Sequence, residues 1–194
     1  MPRCGLYATP RMKNADYPRQ ARDLILEKKW VPLLDVGRAW IQAVPDDPIA
    51  RLLIISGSLF TGDYREAHEQ HGRLFAPPAE DAPATQNDQQ DPRTALRAFA
   101  GEIANDHPDN AGARLFFGIT LTQIGDLEGA LREYKDSTRL DPGDAHAHYF
   151  HGQALHALDR VDMAIREYRE AVKLAPQDIR MRLNLGSAYY EQGV

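Results

Sequence analysis

AGARLFFGITLTQIGDLEGALREYKDSTRLDPGD over residues 111–144 and AHAHYFHGQALHALDRVDMAIREYREAVKLAPQD over 145–178 decide the fold. Shifted by 34 residues, the two segments agree at 12 of 34 positions. The identities include Ala113/Ala147, Phe116/Phe150, Gly118/Gly152, Leu121/Leu155 and Ala130/Ala164. They continue through Arg132-Glu133-Tyr134 against Arg166-Glu167-Tyr168, then Leu140/Leu174, Pro142/Pro176 and Asp144/Asp178. A third copy opens at Ile179, where Gly186 continues the glycine series and Tyr189 continues Leu121 and Leu155.

Each copy has the pattern of two helices. Leu115, Gly118, Leu121 and Thr122 recur at helical spacing, as do Leu127, Ala130, Leu131, Tyr134 and Leu140. Gly125-Asp126 punctuates the gap, and Asp141-Pro142-Gly143 closes the second helix, since proline disfavours a helical residue before it. A mid-helix glycine costs about 1 kcal/mol relative to alanine. Its recurrence at one phase predicts a close helix approach, with Ala130 or Ala164 opposite, and Gly152→Leu is expected to overpack that seam.

Helix, short turn, helix and proline turn at this period resemble the tetratricopeptide repeat family. Residues 111–194 resemble two and a half such repeats. The family's small residues fall on Gly118, Gly152, Gly186, Ala130 and Ala164, its second-helix aromatic on Tyr134 and Tyr168, and its closing proline on Pro142 and Pro176. The first-helix aromatic is replaced by Arg114, His148 and Arg182. The resemblance implies an all-α, right-handed α-solenoid of helix-turn-helix repeats.

Upstream the pattern is looser. Residues 14–81 read as two divergent repeats. In the first, 14–47, Tyr17, Ala21 and Leu24 lead to Trp30, Leu33, Leu34, Val36 and Trp40. The second, 48–81, carries Leu52, Leu53, Ile55 and Leu59, then the Gly62-Asp63 turn and Ala67. Residues 1–13 read as a tail and 82–92 as an acidic, proline-rich linker. The helix of a degenerate repeat is placed over 93–110, packed on the first helix of the 111 repeat or capping it.

Net charge is −5, and the 43% apolar and 26% charged composition suits a soluble globular chain without the basic stripe of a nucleic-acid binder. Cys4, the single cysteine, permits no internal disulfide and fits a reducing compartment. No apolar run near Met1 has signal-peptide length, and 52–60 is too short to span a bilayer. The expectation is a cytoplasmic protein without membrane insertion.

Several strings imitate chemistry. In His68-Glu69-Gln70-His71 the histidines are three apart, whereas a zinc-protease helix needs four. Gly57 and Gly62 have phosphate-loop spacing but are followed by Asp63 rather than lysine. His148 and His151 share a helix face, yet no acid or cysteine is arranged to complete a metal site. No catalytic, metal or cofactor residue is assigned.

Stacked repeats curve so that first helices line a concave face. The expected groove comprises Leu115, Ile119 and Thr122, then His146, Tyr149, Gln153 and His156, then Arg180, Asn184, Ser187 and Glu191. Its partner would be a protein or peptide, held without catalysis. One branch of the family grips acidic chaperone tails through a two-carboxylate clamp. Its basic and Asn positions fall here on apolar Leu115, Ile119 and Phe150, so no such binding is expected. Two further expectations concern the end of the chain. It reads as part of a longer protein, where the array would recruit substrate to an enzyme such as a transferase. Alternatively, the last helix supports self-association.

Overall fold

The computed structural model describes residues 16–76 and 91–193. The expected tail at 1–13 and most of the 82–92 linker lie outside them. Ten helices and no strand occur among the described residues, forming an all-α, right-handed α-solenoid. They are α1 (Tyr17–Leu26), α2 (Trp30–Ala43), α3 (Pro48–Thr61), α4 (Tyr64–Leu74), α5 (Pro92–Asp106), α6 (Ala111–Gln123), α7 (Leu127–Leu140), α8 (Ala145–Ala157), α9 (Val161–Leu174) and α10 (Ile179–Gln192).

Two kinds of turn organise the chain. Within a helix pair, one residue adopts a left-handed conformation: Lys28 (φ 54°), Gly62 (82°), Gly125 (87°) and Asp159 (59°). Only glycine does so without steric cost, so the turn is imposed on Lys28 and Asp159 by the packing around it. Between pairs, a proline turn ends in an acid or amide that caps the next helix. Asp47 Oδ1 accepts from the Ile49 and Ala50 amides, Asn110 Oδ1 from Ala113, Asp144 Oδ1 from His146 and Ala147, and Asp178 Oδ1 from Arg180. These bonds satisfy donors that a helix start leaves orphaned. The same turn, at residues 107–110, joins α5 to α6, on which α5 packs.

The seam within each pair differs from the expected glycine–alanine contact. A Cβ built on Gly118 would lie 2.5 Å from Cε1 of Tyr134, and one on Gly152 2.7 Å from Cδ1 of Tyr168. The glycine therefore seats a tyrosine ring. Ala130 and Ala164 are fully buried one turn earlier on the partner helix. Tyr134 and Tyr168 are each 1% exposed, and the Tyr134 hydroxyl meets Thr122 Oγ1 at 3.0 Å. At Gly186, in the same phase on α10, a Cβ would meet nothing within 4 Å.

The N-terminal helices make a second close approach. Gly57 of α3 backs onto Leu34 of α2, where a Cβ would come within 2.5 Å, and Gly37 of α2 backs onto Leu53 and Ile54. Helix α1 and the turn after it pack on the later repeats. The carbonyl of Ile25 lies over Gly112, Asn110 Nδ2 donates to Leu26 O (3.2 Å), and Lys28 Nζ reaches Asp141 (2.6 Å) and Asp144 (2.8 Å). One continuous apolar core results, from Tyr17 to Ala188. No helix among the described residues is long and apolar enough to cross a membrane.

These contacts set opposite outcomes for one substitution. Gly118→Ala or Gly152→Ala drives a methyl into a fixed ring and lowers stability by about 1–3 kcal/mol. Gly186→Ala gains helix propensity without a clash and raises it by about 0.5–1 kcal/mol. Urea denaturation of the three variants checks both signs.

Candidate functional site

First helices α6, α8 and α10 form the concave face, but the chain's own α3–α4 corner lies on it. Phe60, stacked on Trp30 at 4.2 Å, sits with its ring centroid 5.0 Å from that of His146 and 5.4 Å from that of Phe150. Arg180 Nη1 donates to the carbonyl of Leu59 at 3.0 Å, while its guanidinium also pairs with Asp178 at 2.5 Å. The Tyr64 hydroxyl reaches that of Tyr149 at 3.4 Å.

This placement corrects part of the expected groove. Leu115 (0% exposed) and Tyr149 (3%) belong to the core and offer no open surface to a partner, and Ile119 (1%) reaches only the wall of a cavity. The physical reason is cover supplied by α1 and α3, which pack on α6, and by Tyr64 of α4, which meets Tyr149; the C-terminal repeats do not encode these helices. Tyr149 instead anchors an internal network: its hydroxyl accepts from Gln153 Nε2 (3.0 Å) and Asn184 Nδ2 (2.8 Å). Burial pushes the Tyr149 hydroxyl well above the usual phenol range, so it stays neutral. Thr122, His146, Gln153, Arg180 and Asn184 are half-buried, and Ser187 and Glu191 are exposed. His156 Nε2 lies 2.6 Å from Glu191, and burial lowers the pKa of His146.

A cavity of about 260 Å³ lies between the start of α4 and the C-terminal ends of α6 and α8. Leu59, Ile119, Leu127 and Ala154 give it apolar walls, and Thr122 and Gln153 supply polar groups. Ala157, on an exposed position, also lines it. Such a space can take one apolar side chain and hydrogen-bond the backbone that carries it. Ile119, Thr122 and Gln153, which line it, are among the residues that helix phase put in the expected groove. Leu59 and Tyr64 were missed, because nothing in their local pattern tells of a helix lying across distant repeats.

The other sequence candidates resolve into packing. The glycines at 57 and 62 are a mid-helix contact and a helix C-cap. His71 Nε2 lies 3.3 Å from the Gln123 carbonyl, and Glu69 pairs with Arg73. Among the described residues, no three His, Cys, Asp or Glu side chains converge to hold a metal ion.

A family model described as a TPR repeat matches residues 152–193, and one described as a tetratricopeptide repeat matches 88–145. No curated protein matches the chain. Among solved structures, the first TPR of Spaghetti (RPAP3), bound to an HSP90 peptide, is similar with a TM-score of 0.50. It is 12% identical over 76% of this chain and 94% of that one. The TPR protein TTC0263 from Thermus thermophilus gives a TM-score of 0.49 at 18% identity, over 92% of this chain and 100% of that one. An O-GlcNAc transferase from Thermobaculum terrenum is 27% identical with a TM-score of 0.46, over 50% of this chain and 19% of that one.

His148 and His151 share an acid. Their Nδ1 atoms lie 2.7 Å and 3.3 Å from the same Glu167 oxygen, and both rings are largely buried. Burial alone would raise the Glu167 carboxyl, but the two imidazoles hold it down at about 2. The hydrogen bond to Glu167 in turn raises His148, against burial. Stability from Glu167 is present above its unfolded value of 4.5 and lost as pH falls towards 2. Stability from His148 is complete below its unfolded value of 6.5 and lost as pH rises through the raised folded value. Glu167→Gln should therefore cost most between these two unfolded values, by about 2 kcal/mol, and less at either extreme. Urea denaturation of both proteins across the acid to mildly alkaline range measures this. A difference that does not vary with pH would remove the pair from the account.

Proposed function

We propose, from the premise that the chain belongs to the tetratricopeptide repeat family, that it is a scaffold holding a protein or peptide partner. Family membership supports the general role, since stacked helix pairs build extended surfaces for other proteins. The cavity beside Tyr64 carries the specific reading. It has apolar walls, with Thr122 and Gln153 as polar groups beside the path a peptide backbone would take. Recognition therefore centres on one apolar anchor residue of the partner, with Gln153 and Thr122 bonding its main chain. Ser187 and Glu191, exposed on α10, extend the surface in a polar direction. Concentrating affinity in one filled pocket is common at protein interfaces.

An acidic chaperone tail does not fit this surface. The positions that would grip it are buried apolar side chains, and Arg180 already serves Asp178 and Leu59.

Affinity capture with the full chain as bait, compared with an Ala157→Trp variant, tests the cavity. The indole fills its mouth from an exposed position, so recovery of the partner drops while the melting temperature holds. Equal recovery would move the binding surface elsewhere. A peptide ending in Glu-Glu-Val-Asp should show no saturable binding up to about 1 mM. Tight binding abolished by Arg180→Ala would overturn that part of the reading.

A further inference from the structure

The direction of the hydrogen bonds around the cavity limits what can bind there. Tyr149 keeps its proton, because burial pushes its hydroxyl well above the usual phenol range. Its oxygen accepts from Gln153 Nε2 at 3.0 Å and from Asn184 Nδ2 at 2.8 Å. With two donors already on it, that oxygen has no place for a third. The contact at 3.4 Å therefore runs from the Tyr149 O–H to the Tyr64 oxygen. The proton of Tyr64 is left over. Tyr64 is 41% exposed and lines the cavity, so its O–H is a free donor there.

The opposite polarity holds on the facing helices. Thr122 Oγ1 donates to the Gly118 carbonyl at 3.0 Å, so the Tyr134 O–H donates to Thr122, which keeps one acceptor position. Gln153 turns its Nε2 to Tyr149, which leaves Oε1 without a donor among the described residues. One donor at the start of α4 thus stands opposite acceptors on α6 and α8. No side chain lining the cavity carries a charge, so a charged group entering it would be buried unpaired. The rings of Tyr134 and Phe150, within 18° of parallel and 6.1 Å apart, both line it. Another ring packed against them gains beyond the area it buries.

We infer, on the premise that the chain is a scaffold for a peptide, that the cavity takes an uncharged aromatic residue of an extended segment, with Tyr64 donating to a main-chain carbonyl and Gln153 and Thr122 accepting from main-chain N–H groups. Tyr64 is then a specificity-determining residue supplied from outside the C-terminal repeats. A carboxylate or phosphate offers acceptors alone and is rejected by Gln153 and Thr122. A peptide main chain carries both donors and acceptors and meets all three.

Titration of the isotope-labelled full chain with the blocked pentapeptide acetyl-Ala-Ala-Phe-Ala-Ala-amide, followed by NMR, is the test. Binding should saturate with a Kd below about 5 mM and move the side-chain amide signals of Gln153. Glu or Lys in place of the central Phe should weaken it at least about tenfold. Tyr64→Phe keeps the ring, removes the donor and should weaken it about three- to tenfold, with a thermal melt confirming the fold. An ester oxygen replacing the N–H of the Phe, or of the residue after it, should weaken at least one of the two complexes comparably. That loss should vanish in a variant combining Gln153→Leu with Thr122→Val. Binding lost in Ala157→Trp yet indifferent to Tyr64→Phe and to the ester exchange would overturn the assigned polarity and leave the cavity as the anchor site. Absence of saturable binding, or a preference for Glu or Lys at the centre, would overturn the uncharged aromatic occupant. The cavity itself falls as a partner site only if partner capture also ignores Ala157→Trp.

Discussion

A tyrosine ring pressed against a bare backbone sets the geometry of this protein. Gly118 and Gly152 cost their helices intrinsic stability, and Tyr134 and Tyr168 offset it by filling the space a side chain would take. The ring fixes how near the two helices of a pair can come. Because the same seat recurs after 34 residues, successive pairs stack at a constant offset and the array bends in one direction. The acids at 144 and 178 then start each new pair at a fixed angle by capping its first turn.

A curved array makes a hollow, and here the chain fills much of it. The α2–α3 pair, brought close by Gly37 and Gly57, presents Phe60 and the Leu59 carbonyl to the concave side. Side chains that would face solvent in an open array become interior. The concave face thus divides into a structural part around Tyr149 and a smaller accessible part around Gln153.

The repeat length, the pairing of helices and the all-α class were legible because identical residues return at fixed spacing and prolines mark the joins. Glycine phase was equally plain, but phase does not name the neighbour: Ala130 and Tyr134 lie on one helix, and only the packed pair shows which enters the seat. The left-handed turns at Lys28 and Asp159 were hidden, since neither residue advertises a positive φ as Gly125 does. The burial of Leu115 and Ile119 was out of reach for a different reason. It depends on helices far upstream, and a periodic pattern reports only on its own neighbours. Gln153 and Asn184 are half-buried, as local helix phase implies for positions on that face.

The fold-back also changes how such an array comes apart. In an open solenoid each unit touches only its neighbours, so stability is a chain of local terms and the ends fray first. Here Lys28 grips Asp141 across 113 residues of sequence, and Arg180 holds Leu59 across 121. The first and last described helices are thereby tied to the same core, and loosening one exposes the other. Cooperativity spreads from single repeats to the whole array, while the search for such distant partners slows the route by which it forms.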